Sequence, residues 1–163
     1  MKKNLTPAFR VIVDTREQAP LAIPAHWRKR GTLHTADYSI EGFEDEFAIE
    51  RKSLQDLVQS LTHERARFTR EMERLAAFRF KRVLVEAPYR MLLADSFPFS
   101  LAKPRAIRAS VATFEVRFNI PFVFADGRKE AVGHVMRWAR YFTRERAREN
   151  YRDSVDGAGH EKI

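Results

Sequence analysis

The chain has 163 residues, 44% of them hydrophobic and thirteen of them Phe, which suits one ordinary domain with a real core and rules out a disordered chain. Lys plus Arg total 30 against 22 Asp plus Glu, a formal charge of +8 that fits a polyanionic partner such as nucleic acid. Cysteine is absent, so disulfides and thiolate metal sites are excluded. No apolar run reaches bilayer length and no apolar signal core opens the chain, so no membrane partner is expected and the expected setting is cytoplasmic.

After a short polar lead through Phe9, the β-branched run Arg10–Asp14 predicts a first strand ending in a carboxylate. Gln18–Pro24, with two prolines, reads as loop, and Thr32–Ala36 as a second strand closing at Asp37. The acidic, Gly-containing stretch Glu41–Glu46 predicts a hairpin turn into a third strand, Phe47–Lys52. Ser53 and Asp56 have capping-box spacing at the start of a helix, whose apolar positions are Leu54, Leu57, Val58 and Leu61. A break near Thr62 precedes a helix from His63 to Phe80, with Phe68, Met72, Leu75 and Ala76 on one face and Arg65, Arg67, Arg70 and Arg74 on the other.

Arg82–Glu86 predicts a fourth strand, Arg105–Phe118 a helix, Pro121–Ala125 a fifth strand and about Lys129–Arg146 a final helix capped by Asp126. Pro88–Pro104 has no clear periodicity. Residues 1–147 are expected to form one domain and 148–163 a polar flexible tail. The element order predicts an α/β fold with a central sheet of about five or six strands and helices on its faces.

The chemistry concentrates in Phe47–Asp56. Side chains alternate along a strand, so Glu50 and Lys52 share one face and Arg51 takes the other. Taken alone, an acid and an amine at this spacing read more readily as a surface ion pair. Asp37, brought opposite Glu50 by a near-symmetric hairpin register, adds a second carboxylate. Two adjacent carboxylates repel unless a cation lies between them, and Mg²⁺ favours one or two carboxylates completed by water and phosphate oxygens.

Three segments in order carry a family resemblance: Val13-Asp14-Thr15-Arg16-Glu17, Asp37-Tyr38, and Glu50-Arg51-Lys52-Ser53-Leu54-Gln55-Asp56. They resemble the V-D-x-R-E, G-D-Y and E-R-K-x-x-x-D signatures of XPF-type structure-specific endonucleases of the PD-(D/E)xK class. The motifs cover roughly Val11–Glu86. The resemblance implies a restriction-endonuclease-like mixed sheet, Mg²⁺ or Mn²⁺ dependence, and hydrolysis of branched, flapped or nicked DNA in repair or recombination. It implies that the side chains of Asp37 and Glu50 and the backbone carbonyl of Arg51 hold the metal, and that Lys52 assists the attacking water. Asp14 and Glu17 are then expected at the border of the catalytic centre, with a second cation as one role open to them. Arg16, Arg51 and Arg67 are expected to contact DNA or fix carboxylates.

Ala36 stands where the family has glycine, a replacement that fits an ordinary backbone angle. No helix-hairpin-helix module follows, so a stand-alone nuclease domain is expected. The resemblance also implies a homodimer, with the late helices as its contact. The alternative is a non-catalytic DNA-binding or scaffolding subunit, which retention of the acids disfavours. Asp56 reads as structural, His26, His34 and His63 as non-ligands, Phe114, Phe118, Phe122 and Phe124 as core, and Trp138 and Tyr141 as either core or dimer contact.

Overall fold

The computed structural model describes residues 9–158. Six strands form one mixed sheet: β1 (Val11–Asp14), β2 (Arg28–Gly31), β3 (Tyr38–Ile40), β4 (Phe47–Lys52), β5 (Phe80–Val85) and β6 (Phe122–Phe124). Their order across the sheet is β2-β1-β3-β4-β5-β6. β3 runs antiparallel to both β1 and β4, while β1–β2, β4–β5 and β5–β6 are parallel.

Four helices cover the faces: α1 (Leu54–Leu61), α2 (Arg65–Ala76), α3 (Pro104–Phe118) and α4 (Arg128–Ala158). The crossovers from β4 to β5 and from β5 to β6 step the same way across the sheet. The usual right-handed connection therefore puts α1, α2 and α3 on one face. There Ala48, Val83 and Val85 meet Leu57, Phe68, Met72 and Phe114. α4 covers the other face, where Phe47, Ile49 and Leu84 meet Ala131, Val135 and Ala139. β4 and β5 are covered on both sides, which explains their near-continuous apolar runs. Among the described residues no helix is long and apolar enough to cross a membrane.

The chain starts α1 as its sequence predicts. Ser53 Oγ accepts the Asp56 N–H at 3.0 Å and donates to Asp56 Oδ2 at 2.7 Å. Such a cap contributes about 1 kcal/mol.

Several expectations are corrected, among them the helix expected to reach Phe80, which ends at Ala76 so that Phe80 opens β5. The second strand is Arg28–Gly31, on the sheet edge beside β1, and Thr32–Asp37 is an irregular connection. A strand over Thr32–Ala36 is prevented by two local features. Asp14 captures the Leu33 N–H at 2.7 Å, and Ala36 turns into the left-handed region at φ 66°. Ala36 therefore does not have the ordinary backbone angle at which the replacement of glycine would cost nothing. Finally, α4 continues through Ala158 where a flexible tail was expected from Arg148. The i,i+3 pairs Arg146–Glu149 at 2.7 Å and Arg148–Glu145 at 2.6 Å join its turns where the tail was expected to begin. Residues 159–163 of that expected tail and residues 1–8 of the polar lead lie outside the described residues.

The Asp126 carboxylate pairs with Arg90 at 3.2 Å. It is Glu130 that reaches back to the Asp126 N–H at the start of α4.

Candidate active site

The register that pairs Tyr38 with Ile49 sets Asp37 across from Glu50. Asp37 N–H donates to Ile49 C=O at 3.0 Å, and Asp37 Oδ2 accepts the Arg51 N–H at 2.8 Å. The two carboxylates thus come from opposite limbs of a hairpin whose turn is set by Gly42, at φ 85°. A glycine is favoured there because the left-handed region is open to it without steric cost.

Burial raises the pKa of the Asp37 carboxyl, and the Glu50 charge raises it further. Burial likewise raises Glu50, opposed by Lys52. Lys52 Nζ lies 3.3 Å from Glu50 Oε1 and 4.8 Å from the centre of the Phe68 ring on α2. Lys52 is buried, so its ammonium is held in place beside Glu50. Strand geometry directs the Arg51 C=O to the same edge of β4 as its N–H, toward Asp37.

Among the described residues no donor reaches Asp37 Oδ1 or Glu50 Oε2. These oxygens open on a cleft bordered by Arg16, His34, Glu71 and Arg74. The donor set fits one hard cation: two carboxylate oxygens and a carbonyl, with room for water and phosphate oxygens. No group of three or more carboxylates or imidazoles forms a closed metal cage among the described residues.

Asp14 and Glu17 sit beside this pair, but their oxygens are already engaged. Asp14, 1% exposed, accepts from Arg16 N–H and Arg16 Nε, each at 2.8 Å, and from Leu33 N–H at 2.7 Å. Burial pushes its carboxyl up, yet the Arg16 side chain and the two backbone donors prevail and hold it at about 2. Arg16 also donates to Leu33 C=O at 2.6 Å. Asp14 and Arg16 together thus clamp the Thr32–Asp37 connection that delivers Asp37.

Glu17 accepts from Arg51 Nε at 3.0 Å and Arg51 Nη2 at 2.9 Å. Arg51 points to the α4 face of the sheet, away from Glu50. Its side chain is 12% exposed and also pairs with Glu86 at 3.1 Å. The guanidinium therefore ties the ends of β4 and β5 to the loop after β1. Tyr38 plays a similar part: its buried hydroxyl accepts the Leu21 N–H at 2.8 Å, and burial pushes its pKa up to about 12.

Arg67 is exposed on α2, pairing with Glu64 at 3.4 Å and Glu71 at 3.1 Å. It borders a second recess that also holds Lys52 and Asp56. Glu71 was not among the residues expected at the site. Its only signal in the sequence was its i,i+4 spacing from Arg67, which by itself describes a solvated helix face.

A six-stranded mixed sheet with one carboxylate just before β3, a second on β4 and a lysine at the end of β4 defines the nuclease-like α/β class. A family model, the ERCC4 domain, matches residues 13–137. The chain belongs to the ERCC4 domain family. Its fold is similar to that of XPF from Aeropyrum pernix, with a TM-score of 0.67 and 23% identity over 82% of this chain and 61% of that one. The same archaeal protein in complex with DNA gives a TM-score of 0.66 and 23% identity over 84% of this chain and 66% of that one. This chain thus spans less than two thirds of the length of either. Comparison with curated protein sequences gives no match.

Proposed function

We propose that this domain is a divalent-metal-dependent endonuclease that hydrolyses phosphodiester bonds in branched, flapped or nicked DNA during repair or recombination. The observation that carries the reading is the approach of Asp37 and Glu50 across the β3–β4 hairpin, with Lys52 fixed beside them. Membership in the ERCC4 domain family supports it, as does the likeness to the archaeal XPF in complex with DNA.

Asp37 Oδ1, Glu50 and the Arg51 carbonyl are the groups that would hold Mg²⁺ or Mn²⁺. A divalent ion bound there supplies Lewis-acid polarisation of the phosphate and a lowered water pKa. Lys52 Nζ offers a positive hydrogen-bond donor to the attacking water and to a phosphate oxygen. Arg16, at the cleft mouth with its charge largely in solvent, binds the phosphate backbone, and Arg67 extends that contact along α2. Asp14, Glu17 and the Arg51 side chain position the loop and strand ends, while touching neither phosphate nor ion. The same proposal includes pairing of two chains through the later part of the domain, where Leu101 and Val116 are exposed.

The test is a panel of labelled flap, fork, junction and plain duplex DNAs with Mg²⁺ or Mn²⁺. The wild type should cut branched substrates, and Glu50→Gln should bind them without cutting. Equal cutting by Glu50→Gln would refute the assignment. Tight binding with no cleavage by the wild type under either ion would leave a scaffolding subunit.

A further inference from the structure

We propose that the outer ridge of α4 is a second nucleic-acid contact surface, taking the backbone of a DNA arm on the far side of the sheet from Glu50. The inference rests on the DNA-binding part of the reading above and is independent of catalysis. At 100° per residue, Arg137, Arg140, Arg144, Arg148 and Arg152 fall within one outward sector of the helix. Ala131, Val135 and Ala139 occupy the opposite sector, against the sheet. Tyr141 and Tyr151 interleave with the arginines and are 54% and 72% exposed. No acidic residue enters that sector between Arg137 and Arg152.

An ordinary solvated helix face alternates its charges, and α4 does pair its charges on its flank and on the side toward the sheet. There Glu149 meets both Arg79 and Arg146, and Arg146 meets Glu46 at 3.0 Å. The outer ridge is different. Arg144 lies 5.5 Å from the Tyr141 ring, Arg137 lies 3.2 Å from His134 Nδ1, and neither Arg137 nor Arg140 has an ion-pair partner among the described residues. Among the described residues Arg148 is the one ridge arginine that reaches a carboxylate, Glu145 on the flank, at 2.6 Å.

Arginines with exposed aromatics between them suit phosphates and the faces of unstacked bases. From Arg137 to Arg152 the ridge is about 22 Å long at the helical rise, matching about six phosphates of one strand at 3.4 Å of axis each. A second copy of this chain is a poor occupant, since a two-fold contact sets arginine against arginine. A straight duplex over Asp37 and Glu50 lies on the α2 side of the sheet. The ridge therefore takes another arm of a branched molecule, which gives the domain a means to prefer branches.

The test is fluorescence anisotropy of a labelled flap DNA with long arms, in EDTA so that nothing is cut. Wild type is compared with the triple variant Arg140→Gln, Arg144→Gln, Arg148→Gln. The triple variant should bind at least about tenfold more weakly, and its slope of log affinity against log salt should be shallower by about 2 to 3, since each phosphate contact contributes about 0.9. Lysine at all three positions should restore the slope, and Arg144→Gln alone should lower it by about 0.9. Unchanged affinity and slope would overturn the ridge while leaving the nuclease reading intact. So would a triple variant that loses self-association and keeps its DNA affinity. Loss of affinity in the triple variant, beside a wild type that never cuts, would uphold the ridge and reject the nuclease.

Discussion

Asp37 faces Glu50 across the β3–β4 hairpin, with one oxygen pinned by the Arg51 N–H at 2.8 Å and the other open to the cleft. Both carboxyls are half-buried and hold their protons above the ordinary range. The pair is therefore unfavourable when both groups are ionised and nothing positive stands between them.

That repulsion gives the metal-free protein a characteristic pH dependence. A carboxyl whose folded pKa is raised binds more protons folded than unfolded, so stability falls as pH rises above the unfolded value near 4. Thermal melts in EDTA should show Tm dropping from pH 5 to pH 8, and Asp37→Asn should flatten the drop. Mg²⁺ or Mn²⁺ should raise Tm more at pH 8 than at pH 5. An identical pH profile for Asp37→Asn and wild type would contradict this.

Asp14 has the opposite sign. Its folded pKa of about 2 lies below the unfolded value, so its contribution is present above about pH 4 and is lost as pH falls through about 2. Asp14→Asn should cost about 2 kcal/mol at neutral pH, by the size of that shift in a buried group. Urea unfolding measures it. Cleavage should decline as well, through the released Thr32–Asp37 loop.

Ala36 adopts φ 66° immediately before Asp37, a conformation that costs an L side chain about 1–2 kcal/mol. Ala36→Gly removes that strain but frees the unfolded chain, an opposing effect of about 0.4–1 kcal/mol. The expected net gain is about 0.5–1 kcal/mol, read by urea unfolding with activity retained. A loss of stability would show that the turn is not strained.

Arg51 should behave as a brace. Arg51→Ala strands Glu17 and Glu86, both largely buried, and should destabilise by about 3 kcal/mol. Arg51→Ala with Glu17→Gln should cost less than the sum of the two single changes. A double-mutant cycle in urea checks this, and strict additivity would count against the brace.

The fold was legible where one physical rule governed a segment. The capped start at Ser53, the break near Thr62 and the apolar faces of α1, α2 and α3 follow from spacing alone, and the symmetric turn between Tyr38 and Ile49 was enough to bring Asp37 to Glu50. Reading failed where distant groups overrule local preference. Thr32–Ala36 looks extended, yet a carboxylate nineteen residues earlier in the chain takes its amide. The run from Arg148 looks polar enough to fray, yet α4 runs on through Ala158, with ion pairs among residues 145–149 where the tail was expected to begin. Within the site, alternation along β4 placed Glu50 and Lys52 together. It could not reveal that Glu17 is gripped by Arg51, because that contact joins segments 34 residues apart.

The most direct test is a manganese-soaked crystal examined by anomalous scattering. An anomalous peak between Asp37 and Glu50, about 2.0–2.3 Å from Asp37 Oδ1, a Glu50 oxygen and the Arg51 carbonyl, is the predicted result, the range being that of hard divalent ions with oxygen ligands. A map with no peak there, and the two carboxyls turned apart, would contradict the account.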